Sequence, residues 1–146
     1  MNALKIFRSS AGSGKTFTLV LEYLRLVLRN PSDYKHILAI TFTNKATSEM
    51  KQRILSALVQ LSSPETSPLK EALEGDQLPD LEKRARKALD LILHDYSSFS
   101  VCTIDSFFQK IIRGIAREIR LPSRFQLELN EDDVKEQITD LSLIHI

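Results

Sequence analysis

The sequence holds one cysteine in 146 residues, no tryptophan, four glycines and five prolines. A lone cysteine, Cys102, excludes a disulfide framework and fits a reducing, cytoplasmic setting. It falls inside an apolar run at residues 99–104, so it is expected to be a small buried residue rather than a nucleophile. No apolar run reaches the roughly 20 residues of a membrane-spanning helix, and the N-terminus lacks the apolar region of a signal peptide, so no membrane association is expected. Charge of one sign is also lacking: 20 Lys and Arg against 19 Asp and Glu leave a formal net charge of +1. Bulk attraction to polyanions is thereby excluded, and any nucleic-acid contact has to come from local patches. No internal repeat is present. What is there, 42% hydrophobic and 27% charged, is the composition of a globular domain with a real core.

Two of the four glycines, Gly12 and Gly14, fall within one short stretch, Ser9-Ser10-Ala11-Gly12-Ser13-Gly14-Lys15-Thr16. A strand signal at residues 4–7 precedes it and a long helical pattern follows it. That order is what a phosphate-binding loop requires. The glycines let backbone N–H groups approach an anion, and the positive end of the following helix adds to their pull. Lys15 would reach the β- and γ-phosphates and the Thr16 hydroxyl would ligate Mg²⁺. Ser9 stands where the G-x-x-x-x-G-K-[ST] pattern has its first glycine. The competing reading is a Gly/Ser-rich surface turn, and the ordered strand, loop and helix argue against it.

Helical spacing from Thr16 to about Leu28 predicts a helix with Leu19, Tyr23, Leu26 and Val27 on its inner face, stopped by Asn30-Pro31. Residues 36–42, nearly all apolar and in part β-branched, predict a strand buried on both faces of a parallel sheet. Thr43 or Asn44 then caps a helix to about Leu61, with Met50, Ile54, Ala57, Leu58 and Leu61 inward. Residues 62–79, with three prolines and a glycine, read as a surface excursion holding one short helix near Leu69–Leu73. Asp80 is expected to cap a helix whose stripe is Leu81, Ala85, Leu89, Ile92, Leu93 and Tyr96. A third strand follows at residues 99–104, and a helix opens at Asp105 or Ser106 and ends before Pro122. Residues 131–141 read as the start of an acidic helix.

Strands alternating with helices imply an α/β fold, whose ligands gather at the carboxyl ends of the strands. The segments leaving the second and third strands should meet the phosphate loop there. Thr41-Phe42-Thr43-Asn44-Lys45 offers a ring, hydroxyls, an amide and an ammonium, a set suited to single-stranded nucleic acid. Equally, Phe42 could be core, with Thr43 and Asn44 serving only as helix caps. Thr103-Ile104-Asp105-Ser106-Phe107 repeats the pattern, with Thr103 and Ser106 as possible phosphate donors. The helix after it and its exit carry Lys110, Arg113, Arg117, Arg120 and Arg124, either a solvated face or a phosphate track.

These three segments together resemble the amino-terminal motor domain of UvrD-like, superfamily 1 DNA helicases, in particular the RecB/AddA branch. Residues 9–16 resemble that branch's first motif. Residues 40–50 resemble the pattern Thr-Phe-Thr-Asn-Lys-Ala-Ala-x-Glu-Met, and Thr103–Phe107 resembles Thr-Ile-His-Ser-Phe with Asp105 in place of His. The resemblance implies a P-loop NTPase (RecA-like) parallel sheet flanked by helices, incomplete, over residues 1–121, and the start of a helical insertion over 122–140. It implies ATP and Mg²⁺ as cofactors. The nucleotide would sit on Ser10, Ala11, Gly12, Ser13, Gly14, Lys15, Thr16 and Phe17, with Lys15 and Thr16 as the catalytic pair. Single-stranded DNA would meet Phe42, Thr43, Asn44, Lys45, Thr103, Ser106 and Phe107. A nuclease or second helicase subunit is an expected partner. The family's Asp-Glu pair and its adenine-reading Gln motif are absent, so the chain is expected to be the front piece of a larger enzyme, inactive by itself. The last six residues, 141–146, match one reading frame of a transposase adaptor used in sequencing libraries and are expected to be non-native. The other readings are an unrelated P-loop NTPase or kinase, or a nucleotide-binding module without turnover.

Overall fold

A computed structural model describes residues 15–74 and 78–115. The expected strand at 4–7, the loop at 9–14, and everything after Ile115, including Arg117, Arg120, Arg124 and the 122–140 and 141–146 segments, lie outside the described residues. In order come α1 (Lys15–Arg29), a 3-10 turn (Pro31–His36), β1 (Ala39–Thr41), α2 (Asn44–Leu61), α3 (Pro68–Glu74), α4 (Leu81–His94), a 3-10 turn (Tyr96–Ser98), β2 (Val101–Thr103) and α5 (Ile104–Ile115). Described residues are thus mostly helical, with one small sheet in which β1 and β2 run parallel, consistent with an incomplete α/β domain. The chain divides into two compact units, Met1–Ile104 and Asp105–Ile146.

Within the first unit, α2 is the common neighbour of α1, α3, α4 and both strands. Its buried stripe is Met50, Ile54, Ala57, Leu58 and Leu61, the set its sequence spacing predicts. These residues recur at three- and four-residue intervals among polar neighbours, so only one face can turn inward. Against it lie Leu24, Val27 and Leu28 of α1 and Ala85, Ala88 and Ile92 of α4. The small Ala85 and Ala88 let the α4 backbone come close to α2.

In α1 the expected inner face is only half right. Tyr23 and Val27 are buried, but so are Val20, Leu24 and Leu28, while Leu19 and Leu26 are half exposed. Nearly every position from Phe17 to Leu28 is apolar, so period alone leaves the phase of the stripe open. Its true phase differs by one residue, or about 100° of rotation. In α4 likewise Leu93 is exposed, and Tyr96 lies beyond the helix in the following turn.

The expected strand at 36–42 shrinks to three residues. Asn30 accepts the Ser32 N–H and Pro31 supplies a pre-set first helical φ, so the 3-10 turn runs on through His36. Ile40 is exposed on the sheet face away from α2, which overturns the expectation of burial on both faces. Asp80 does not cap α4 with its side chain. It adopts the left-handed region (φ 54°, ψ 43°), which Asp tolerates, and its carbonyl accepts the Arg84 N–H at 3.0 Å. The Arg84 guanidinium then closes the end of α1, donating to the carbonyls of Leu28 (3.1 Å) and Arg29 (2.7 Å).

Asp95 organises the turn that leads into β2. Its carboxylate accepts from Ser97 at 2.7 Å, Lys35 at 2.9 Å and Ser98 at 2.7 Å, and its carbonyl accepts from the buried Tyr34 hydroxyl at 3.5 Å. The Ser97 hydroxyl first, then Lys35 and Ser98, hold the Asp95 carboxyl well below the usual carboxylate range, and Asp95 in turn raises the Lys35 ammonium. Tyr23 packs edge-on against Phe99, its hydroxyl buried without a hydrogen-bond partner among the described residues. Burial, and secondarily Tyr34, push the Tyr23 phenol upward.

Two outcomes follow from these contacts. Tyr23→Phe removes an unsatisfied buried hydroxyl at constant shape and should raise stability by up to about 1 kcal/mol in urea melts, because no bond is lost. Asp95→Asn should destabilise the fold at neutral pH. A depressed carboxyl stabilises the folded state above its unfolded pKa near 4 and loses that contribution as pH falls through the folded value. The gap between wild type and Asp95→Asn in melting temperature should therefore be widest near neutrality and close toward pH 2. A gap that grows on acidification would contradict this account.

Candidate nucleotide and nucleic-acid site

The register of the sheet fixes one edge of the site. Ala39 pairs with Val101, Ile40 with Cys102 and Thr41 with Thr103, in parallel. The carboxyl ends of the two strands therefore lie side by side, and Phe42 and Thr103 share the edge that the sequence expectation requires. Cys102 is buried within β2, as expected of a small apolar residue.

Only Phe42 and Thr43 separate β1 from α2. Thr43 is the helix cap: its backbone is extended (φ −129°, ψ 152°) and its hydroxyl oxygen accepts the Ala46 N–H at 3.1 Å. Phe42 is not core. Its ring is 88% exposed, the most exposed large apolar side chain among the described residues. Its place at the carboxyl end of β1, rather than its exposure alone, makes it a candidate for ligand contact. Asn44 and Lys45 are exposed beside it.

A hydroxyl relay braces this bend. Thr41 Oγ1 lies 2.6 Å from Thr47 Oγ1, and each hydroxyl is also within donating distance of the Thr43 carbonyl, at 3.2 and 3.1 Å. The same carbonyl accepts the Thr47 N–H at 3.0 Å. Thr47 is absent from the sequence-derived site. The signal that could have found it is a hydroxyl residue one helical turn beyond the Thr43 cap, where the family pattern has alanine.

Lys15 and Thr16 open α1, a helix of 15 residues with no acidic residue in its first turn. A first turn with no carboxylate in it suits an anion. Thr16 is half buried. Phe17, half exposed, lines a groove of about 620 Å³ together with Val20 and with Glu49, Gln52, Arg53 and Ser56 of α2. Ser10, Ala11, Gly12, Ser13 and Gly14 lie outside the described residues. Thr103 is buried at the end of β2. In the second unit, Ser106 and Phe107 lie on α5, where Phe107 packs edge-on against Phe108 at 5.7 Å, and Lys110 and Arg113 are exposed. Among the described residues no cluster of three or more His, Cys, Asp or Glu could hold a metal, and no helix is long and apolar enough to cross a membrane.

The family model for the UvrD/REP helicase N-terminal domain matches residues 4–144. The RecB polypeptide of the RecBCD enzyme of Buchnera aphidicola is 36% identical over 125 residues, covering 77% of this chain and 11% of the relative. An ATP-dependent helicase/nuclease subunit of Bacillus mycoides is 33% identical over 138 residues, covering 90% of this chain and 10% of the relative. Its counterpart in Bacillus cereus strain AH820 is 32% identical over 136 residues, again 90% of this chain and 10% of the relative. The chain thus spans about a tenth of the length of the curated relatives it matches. No solved structure matches. With the family model covering nearly the whole chain, and its Thr-Phe-Thr-Asn-Lys stretch set at the carboxyl edge of a parallel sheet, the chain belongs to the UvrD/REP helicase N-terminal domain family.

Proposed function

We propose that this chain supplies the first nucleotide- and DNA-binding elements of an ATP-dependent DNA helicase, on an incomplete RecA-like P-loop fold at residues 1–121, with a helical insertion beginning at 122–140. The observation that carries the reading is Phe42: an aromatic ring held in solvent, on a two-residue bend, at the edge where α/β folds bind ligands. Base stacking gives such a ring a function that folding does not. Its neighbours Thr43, Asn44 and Lys45 would hold phosphates of single-stranded DNA, and Thr103, Ser106 and Phe107 would add further contacts to the strand.

The nucleotide would rest on Ser10, Ala11, Gly12, Ser13, Gly14, Lys15, Thr16 and Phe17. The first turn of α1, free of acidic residues, fits a triphosphate, with Lys15 as the point charge and Thr16 as the residue holding Mg²⁺. Hydrolysis of ATP, with Mg²⁺ as its cofactor, would supply the energy of translocation along one strand. The relatives are named as subunits of a RecBCD enzyme and of a helicase/nuclease, which supports assembly with a nuclease or a second helicase.

In the complete protein, Lys15→Ala should lower DNA-stimulated ATP hydrolysis by about 100-fold or more, the scale of losing one charge-stabilising group from a phosphoryl-transfer site. Unchanged hydrolysis would reject Lys15 as the phosphate ligand. Phe42→Ala should leave thermal stability nearly untouched, since the ring is exposed, yet weaken single-stranded DNA binding by about 1–3 kcal/mol. ATP turnover that no single-stranded DNA stimulates would favour an unrelated P-loop NTPase.

A further inference from the structure

We propose that Thr47 is a positioning residue for this edge: its hydroxyl ties the end of β1 to the first turn of α2 and so holds the bend that presents Phe42. The inference rests on Phe42 as the base-stacking residue.

An exposed ring cannot order itself. With 88% of Phe42 in solvent, its direction is set by the backbone on either side, Thr41 and Thr43. Both flanking residues end on Thr47. The Thr47 hydroxyl and N–H both bond the Thr43 carbonyl, at 3.1 and 3.0 Å. A threonine bonding the carbonyl four residues back is ordinary within a helix. The contact to Thr41 is not: it crosses from the helix to the strand, six residues back, at 2.6 Å. Each hydroxyl has one proton. Whichever of the two donates to the other, the relay ends on the Thr43 carbonyl, so both hydroxyls are satisfied and the bend is closed from strand to helix. Of the side chains in this relay, only Thr47 lies inside the helix, on a backbone that the α2 core stripe keeps in place. Thr47 therefore transmits the rigidity of the core to the bend, and a ring already in place binds with less ordering cost.

The test is a double-mutant cycle on the 146-residue chain, read by fluorescence anisotropy with a labelled oligothymidylate at fixed salt. Thr47→Val keeps the shape and removes the relay; it should weaken binding about fivefold, the equivalent of one net hydrogen bond. Thr47→Ser keeps the hydroxyl and should stay within about twofold of wild type. In the Phe42→Ala background Thr47→Val should have no further effect, a coupling that a merely structural role would not produce. Thr47→Ala, a better helix former, gives the same readings if the valine variant folds poorly. Equal loss from Thr47→Val with and without Phe42, or no loss while Phe42→Ala weakens binding, overturns the role of Thr47 alone. Absence of binding by the wild-type chain, or Phe42→Ala binding as wild type does, overturns the stacking edge and this inference with it.

Discussion

The packing of one helix stripe, Met50, Ile54, Leu58 and Leu61 of α2, constrains the rest of the first unit. It meets α1, α4 and both strands at once, so α2 cannot shift without opening a cavity against each of them. That matters beyond stability because α2 leaves β1 after only two residues. A tilt of the helix is passed directly to Phe42 and Thr43. The core thus acts on the site through geometry: burial fixes the helix, the Thr43 cap and the Thr47 relay fix its first turn to the strand, and the strand pairing fixes where both stand relative to Thr103.

How far this could be read from the sequence depended on contrast. In α2 the apolar residues stand among Lys, Gln, Arg and Ser, and the inner face was legible residue by residue. In α1 apolar residues fill almost every position, and only tertiary packing picks Val20, Leu24 and Leu28 over Leu19 and Leu26. The run at 36–42 shows the same difficulty in a strand. An unbroken apolar stretch reads as buried on two sides, yet Ile40 is exposed and His36 belongs to the preceding turn. Cys102 and the parallel pairing were legible, because the first needs only burial and the second follows from strands linked by helices.

The edge itself was half legible. The residue types at 41–45 announced a ring and hydrogen-bonding groups but left open whether Phe42 faced core or solvent. No pattern settles that, because Thr43 caps α2 in either case. Exposure decides it. Thr47 could not be found by matching the family's pattern, since the pattern has alanine there. Its meaning lies in the distance to Thr41, a tertiary fact.

The first turns of α1 and α2 bring these threads together. Neither holds an Asp or Glu, and each carries a lysine within its first two residues, Lys15 or Lys45. A helix built for stability alone does the reverse, since a carboxylate near the N-terminus gains and a cation forfeits about 0.3–1 kcal/mol. The helices α1 and α2 share this departure, while α5, which opens within the third of the stretches that match the family's pattern, keeps Asp105 in its first turn. α4, whose start lies outside those stretches, keeps Glu82 in its first turn. A local rule broken at the starts of α1 and α2 is what a surface shaped by its ligands would show. On the proposed reading, phosphate oxygens of the nucleotide at one terminus and of DNA at the other would supply the negative charge that the sequence withholds, so binding and helix stability would be linked: each terminus would gain its missing counter-charge only when its ligand is in place.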